Sequence, residues 1–312
     1  MKNLLKRIPV PISGVMLASA SAGNLLSSYG AIFKTIFGTI SAIILLFLIL
    51  KLSIDIQSIL EDFKNPIIAS VTPSFAMGVM VLSTYIRHHL PNLAYFLWII
   101  AIVFHVFLIL YFTKKYAGDF DPKEVFPGYL VVYVGITVGS VTAGTHDSFL
   151  IGKALFWFGL ISAILLLPIL VYRVFVLKTI PEALMPTIVI LVAPPNVCLA
   201  GYINSFSNHN VTFIWLFLMI SLVIFVMVLG CMPKLLKLPF YPSCSALTFP
   251  FVISATATKS AHVLLNGLQQ NIVPLIYITW FQEAIAILSL FYVLFRYIFF
   301  ILTPSGNKQL NS

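Results

Sequence analysis

The chain has 312 residues, of which 60% are hydrophobic and only 9% are charged, and its 18 Lys and Arg against 9 Asp and Glu give a net charge of +9. A soluble globular chain carries roughly 25% charged residues. This composition excludes a soluble catalytic domain and indicates a chain that lies mostly within a lipid bilayer.

Ten apolar runs follow one another along the chain, each about as long as a helix that crosses a hydrocarbon core about 30 Å thick. The first run follows Lys2, Lys6 and Arg7, as in a signal peptide, but Pro9 and Pro11 interrupt it early, so we expect a retained helix. The connections are short, and the whole chain, 1–312, is predicted to be a single transmembrane domain. The predicted helices are 8–28, 32–52, 66–86, 93–111, 125–141, 153–176, 184–202, 211–232, 243–264 and 272–302.

The odd-numbered and even-numbered segments differ in composition, and the difference repeats about every 57 to 59 residues. Odd segments are rich in small residues and proline, which are tolerated inside a bundle, whereas the Leu, Ile and Phe of the even segments suit a lipid-facing surface. We predict an all-α membrane protein of ten helices, arranged as five hairpins with quasi-five-fold symmetry, with odd helices lining a central pore and even helices outside. The alternative is that small residues only pack the helices. The pattern predicts these pore-lining residues: Gly14, Gly135, Gly139, Pro194 and Pro250.

The distribution of positive charge predicts the orientation in the membrane. Each connection is numbered by the segment that it follows. Most lysines and arginines lie at the N-terminus, in or beside the even-numbered connections or in the C-terminal tail. The odd-numbered connections and their edges hold only Lys34, Arg87, Lys153 and Lys259. Cytoplasmic loops retain positive charge, so we predict a multi-pass protein of the plasma membrane with both termini in the cytoplasm. Topology accounts for the net charge, and no nucleic-acid partner is predicted.

The charges near the predicted pore favour anions. The odd segments carry no acidic residue in their cores, which disfavours a cation pathway and a proton relay. Lys259 and His262, near the outer end of the ninth segment, are predicted to form a positive mouth above a neutral, hydroxyl-rich lumen. The alternative for Lys259 is that it only extends to the membrane interface. For Glu283, within the tenth segment, we expect Arg296 or a neighbouring subunit as partner.

Four short motifs carry a resemblance to a known family: EDFKNP at 61–66, FPGY at 126–129, LVAPPNVC at 191–198 and LTFPF at 247–251. In order and spacing they resemble the tellurite-resistance/dicarboxylate transporter (TDT) family, which includes bacterial TehA and the slow anion channels of plant guard cells. The resemblance spans nearly the whole chain. It implies five hairpins around a pore, a homotrimer with one pore per subunit, and a phenylalanine on the ninth helix that plugs and gates the pore.

The position that matches this gating phenylalanine is Phe249, directly before Pro250, and the competing interpretation is an aromatic residue that only packs. Phe75, which follows Pro73 on the third helix, is a candidate for a second constriction of the pore. A bulky ring in a neutral channel blocks hydrated ions by its size and by excluding water.

These observations predict a channel for small inorganic or carboxylate anions, with Phe249 as the pore gate. Two alternatives remain open: a proton-coupled carrier of C4-dicarboxylates such as malate, and an exporter of tellurite- or sulfite-like oxyanions. An intramembrane enzyme is disfavoured, because the six histidines form no His-Glu-x-x-His motif and the three cysteines show no metal-ligand spacing. No catalytic residue, cofactor or metal site is predicted.

Overall fold

The computed structural model describes residues 5–116, 118, 125–270 and 272–303. Within these ranges the chain is helical and contains no β-strand. Both chain termini, including Lys2, lie outside the described residues, and their predicted position in the cytoplasm stays a prediction.

Nine helices in the described part of the chain are long and apolar enough to cross a membrane. Together with Phe249–Gly267 they form ten segments in the predicted order, with ends within a few residues of those predicted. In chain order we label them α1 (Val10–Tyr29), α2 (Ala31–Ile54), α3 (Pro66–Ile86), α4 (Pro91–Tyr116), α5 (Gly128–His146), α6 (Phe149–Leu177), α7 (Glu182–Ser205), α8 (Val211–Leu229), α9 (Phe249–Gly267) and α10 (Val273–Leu302).

The segment α9 is more polar than the other nine. It is 19 residues long, but it carries Thr256, Thr258, Lys259 and His262. A polar helix of this length is tolerated within a membrane bundle when it is packed inside other helices. Most of α9 is buried, including Phe251, so it belongs to the interior.

The helices α1, α3, α5 and α7 are interrupted along their length, and a new α-helical part begins at the interruption; α9 begins directly after a short helical turn, Pro242–Leu247. In four of the five helices a proline lies within two residues of this start, and in α5 Gly135 lies in the interruption. Proline lacks the N–H of the helical hydrogen bond and clashes with the preceding turn, which breaks the helix there. The α-helical parts begin at Ser13 in α1, Pro73 in α3, Thr137 in α5, Ala193 in α7 and Phe249 in α9.

Burial divides the helices into two sets. In α1, α3, α5 and α7, 67–83% of the most apolar stretch is buried, whereas in the five even helices the buried share is only 33–39%. With the buried α9, the odd helices form the interior of the bundle, and the even helices form its surface. The exposed side chains of the even helices are large and apolar, which fits a surface that meets lipid rather than water.

Small residues let the inner and outer helices approach closely, and Gly159 of α6 is the tightest such contact. A Cβ atom at Gly159 would lie 1.7 Å from Oγ1 of Thr137 on α5. We expect Gly159→Ala to lower the free energy of unfolding by about 1–3 kcal/mol, because the added methyl group overpacks this contact. Thermal unfolding of the purified protein in detergent measures the loss.

Two variants control this prediction. Gly267→Ala places its Cβ in open space and is expected to leave the unfolding temperature unchanged. Thr137→Ala in the Gly159→Ala background removes the opposing hydroxyl and is expected to restore most of the lost stability. A Gly159→Ala protein as stable as Gly267→Ala would contradict the packing described for α5 and α6.

Candidate functional site

A cavity of about 60 Å³ lies where the interruptions of the odd helices meet. All five inner segments, including the turn that leads into α9, contribute to its wall. Among the described residues that line it none is charged, and Ser74 and Ser245 are the two that carry hydroxyl groups. The other lining residues are Gly14, Leu17, Val71, Met77, Leu130, Val131, Val134, Gly135, Ile190, Ala193, Pro194, Val197, Ala246, Phe249 and Pro250.

Phe249 is the first residue of α9, and its buried ring contributes to the cavity wall. The preceding Thr248 donates hydrogen bonds to the carbonyl oxygens of Ser245, at 2.6 Å, and of Gly14 on α1, at 3.3 Å. These bonds fix the start of α9 against α1. On the other side of Pro250, Phe251 is fully buried and packs edge-on against Phe225 of α8, with ring centroids 5.7 Å apart. Of the two phenylalanines that flank Pro250, only Phe249 lines the cavity.

The structure brings five of the residues singled out in the sequence together at the cavity: Gly14, Gly135, Pro194, Phe249 and Pro250. Gly14 allows a close approach of two inner segments, because a Cβ atom there would lie 3.1 Å from Cβ of Ser245. A larger side chain at Gly14 would therefore push α1 away from the turn that precedes α9.

Phe75 and Gly139 lie elsewhere. The ring of Phe75 packs edge-on against Phe104 of α4 at a centroid distance of 6.3 Å and lines a separate pocket on the bundle surface. A Cβ atom on Gly139 would meet Leu155 of α6 at 2.5 Å, so this glycine faces an outer helix. Both residues are on inner helices, but on the faces that turn away from the cavity.

The cavity wall is less polar than the hydroxyl-rich lumen expected from the sequence. Several serine and threonine hydroxyls of the odd helices donate to backbone carbonyls three or four residues earlier in the same helix, as Thr72 does to Ile68 and Thr256 does to Val252. Short hydroxyl side chains commonly bond in this way within helices. The composition of a helix therefore overstates how many hydroxyls reach a cavity.

Ser74, Met77 and Ser245 line the cavity, although the sequence reasoning did not single them out. Ser74 directly follows Pro73, the first residue of the second part of α3. The hydroxyl groups of Ser74 and of Ser13 on α1 are hydrogen-bonded, with their oxygens 2.6 Å apart. In the sequence, the signal for Ser74 was its position next to a proline that interrupts an inner helix.

Lys259 is held in a charge network rather than left open at a pore mouth. Its ammonium group donates to Oε1 of Glu283, at 2.8 Å, and to the carbonyl oxygen of Leu25, at 3.0 Å. The Tyr29 hydroxyl donates to the other carboxylate oxygen of Glu283 at 2.7 Å. The Glu283 side chain is only 8% exposed and that of Lys259 is 23% exposed. Lys259 is therefore neutralised, and α1, α9 and α10 are joined at this point.

This network differs from the expectation that Arg296 or a neighbouring subunit would be the partner of Glu283. Arg296 donates instead to the Tyr292 hydroxyl, at 2.7 Å, and to the Leu238 carbonyl, at 3.0 Å. Glu283 on α10 contacts Lys259 on α9 because these two helices pack side by side as a hairpin. Further along α9, Nε2 of the half-buried His262 lies 2.9 Å from Nδ2 of Asn266.

Within the described ranges no group of three or more His, Cys, Asp or Glu residues is close enough to hold a metal ion. His105, on α4, is fully buried, and its Nε2 lies 3.0 Å from the carbonyl oxygen of Val132 on α5. This contact joins two helices and lies outside the cavity wall.

Comparison with known proteins adds one match. A family described as SLAC1, voltage-dependent anion channel, matches residues 8–301. The matched region includes all ten helices except the last residue of α10. No curated protein matches the chain.

Proposed function

The chain belongs to the SLAC1 voltage-dependent anion channel family, and from that premise we propose that the central cavity is the narrowest part of its anion pathway, with Phe249 as the gate. Family membership places the chain among multi-pass membrane anion channels rather than enzymes. The observation that carries the proposal is the cavity to which all five inner segments contribute.

Helix electrostatics support an anion at this position. The α-helical parts of the inner helices all begin at the cavity, so their N-terminal ends, with partial positive charge, point toward it. None of these first turns contains an acidic residue, and none of the N-cap residues makes a side-chain capping bond. No carboxylate offsets these ends, but some of their first amides, such as that of Thr137, bond to carbonyls of the preceding turn. Each end therefore favours an anion by less than the roughly 1 kcal/mol of a free helix end.

An uncharged wall supports conduction rather than tight binding. A conducted ion must enter a site easily and also leave it. A fixed lysine or arginine in the cavity would hold an anion strongly, and a carboxylate would repel it. Partial charges from backbone ends attract anions without either effect.

Size and polarity support Phe249 as the gate. The cavity is small, about 60 Å³, so a bulky ring in its wall leaves little room for a hydrated anion. Its apolar wall also disfavours a continuous column of water. The Phe249 ring contributes to this wall, so a rotation of its side chain would widen the passage.

Anion flux from liposomes tests the proposed function. Purified protein is reconstituted in vesicles loaded with potassium chloride or nitrate, and valinomycin is added so that potassium balances the charge. We expect chloride and nitrate efflux above that of protein-free vesicles, without saturation at low concentration and without dependence on a pH gradient. Saturable malate or sulfite transport that depends on a pH gradient would replace the channel by the carrier alternative, and absence of any anion flux would contradict both.

Assembly and orientation complete the proposal. We propose a homotrimer with one pathway in each subunit, in the plasma membrane, with both termini in the cytoplasm. The supporting observations are the positive charges near the even-numbered connections and the large apolar side chains that the even helices expose. Subunits in contact through such surfaces would each keep a complete ring of inner helices.

A further inference from the structure

A second, larger pocket lies on the surface of the bundle, between α2, α3, α4 and the short connecting helix Ile56–Asp62. Its volume is about 360 Å³, and its wall is almost entirely apolar. Residues that define its extent are Leu52, Ile56, Leu60, Phe75, Phe107 and Tyr111. We call it the lateral pocket.

The connecting helix closes one side of the lateral pocket because it is amphipathic. Ile56, Ile59, Leu60 and Phe63 recur at the spacing of one helical face, and all four line the pocket. The Asp55 carboxylate caps the start of this helix by accepting a bond from the Ser58 amide. At its other end, the Phe63 carbonyl accepts hydrogen bonds from side chains of α4. The wall is therefore a built feature of the fold.

The lateral pocket opens toward the lipid-facing surface. Leu52, Leu60 and Phe107 line it and are each 47–59% exposed. Its few polar atoms are engaged within the protein, since the Ser13 hydroxyl bonds to Ser74 and the Thr72 hydroxyl bonds to Ile68. An occupant must therefore be apolar over most of its length, and in a recess that opens to the lipid-facing surface this occupant is hydrocarbon.

A positive charge at the rim of the pocket defines the other end of the occupant. The Lys115 ammonium group donates to the Tyr111 hydroxyl at 2.9 Å and to the Phe63 carbonyl at 3.1 Å, and both residues line the pocket. The ammonium group also lies 5.0 Å from the centroid of the Tyr116 ring. The Lys115 side chain is exposed, so its positive charge is accessible to an anionic phosphate.

We propose that the lateral pocket binds a phospholipid with an anionic headgroup, with one acyl chain against Phe75 and Phe107 and the phosphate on Lys115. Apolar length and a single cation at the rim fit this ligand chemistry together. The positive charges predict that this side of the protein faces the cytoplasm, where the bilayer leaflet carries anionic lipids. The proposal stands whether or not the central cavity conducts anions.

Native mass spectrometry of the purified full-length protein, titrated with phosphatidylglycerol, tests the site. Lys115→Ala is expected to weaken lipid retention about fivefold, the effect of one lysine near an anionic membrane surface. Its matched control is Lys114→Ala, the neighbouring exposed lysine, for which we expect no change. Leu52→Trp is expected to fill the pocket and abolish retention. Leu46, also exposed on α2 but outside the pocket wall, gives the control Leu46→Trp, which is expected to retain the lipid.

Each other result overturns the proposal. Equal retention by all four variants would place bound lipid elsewhere on the surface. Loss of lipid retention in Leu52→Trp but not in Lys115→Ala would show that the pocket is an apolar recess that does not recognise phosphate. Dissociation of an oligomer by Leu52→Trp, visible in the same spectra, would make the pocket a contact between copies of this chain.

Discussion

Replacing Phe249 with alanine is expected to raise the anion current through the protein at least tenfold. Among the described residues of the cavity wall Phe249 is the only aromatic one, and removal of its ring lets water enter. A tenfold rise corresponds to a barrier only about 1.4 kcal/mol lower, which is a modest demand for the loss of a buried aromatic side chain. Planar bilayer recordings of the purified protein, with chloride on both sides, measure the change.

Phe75→Ala is the matched control for Phe249→Ala. It makes the same substitution on an inner helix, but its ring lies in the lateral pocket and packs against Phe104. We expect the Phe75→Ala current to equal that of the unaltered protein. Equal currents for Phe249→Ala and the unaltered protein would remove Phe249 as the gate, and an increase only in Phe75→Ala would move the constriction to α3.

Reversal potentials of Phe249→Ala in unequal salt solutions give an independent reading of the same variant. We expect them to follow the equilibrium potential of the anion, because the positive helix ends at the cavity do not depend on the Phe249 side chain. A reversal potential that follows potassium would show that the opened cavity passes cations and would contradict the proposed electrostatics.

Glu283→Gln is expected to lower the free energy of unfolding by about 3 kcal/mol. Removal of one partner of a buried ion pair leaves an uncompensated charge, which costs about 3–5 kcal/mol. The lower figure applies here because Lys259 is 23% exposed and keeps its bond to Leu25. Thermal unfolding in detergent, with a double-mutant cycle that includes Lys259→Met, measures the loss.

Two comparisons separate this effect from a general loss of surface charge. The exposed pair Lys64–Glu61 has the same chemistry, with side chains 67% and 69% exposed, and Glu61→Gln is expected to cost less than about 1 kcal/mol. The double variant Lys259→Met, Glu283→Gln is expected to regain most of the stability, since no unpaired charge is left. A Glu283→Gln protein as stable as Glu61→Gln would contradict the network around Lys259.

Hydropathy and composition were sufficient to predict the ten segments and their division into buried and exposed sets. A crossing helix needs about 20 apolar residues, and small or bulky side chains reflect the surroundings of a whole helix. Both properties are averages over many residues. The segment α9 was found in spite of Lys259 and His262 because large apolar residues lie on both sides of its small-residue run, at 249–253 and 263–265.

The direction in which each residue faces was not predictable in the same way. Interruption of a helix resets the angular position of the residues that follow, so the face of Phe75 or Gly139 cannot be counted from the residues before Pro73 or Gly135. The partner of Glu283 was missed for a related reason. Lys259 lies 24 residues earlier, on another helix, whereas Arg296 was the nearest candidate in the sequence.

The contacts that join α1 to the last hairpin have a consequence for biosynthesis. Lys259 and Thr248 each bond to a carbonyl of α1 that lies 234 residues earlier, and Tyr29 bonds to Glu283 across 254 residues. Since a chain leaves the ribosome from its N-terminus, α1 makes none of these contacts until nearly the whole polypeptide has been inserted. Closure of the ring of inner helices is thus the last step of its assembly. A chain that stops before α9 would remain in the bilayer as an incomplete ring.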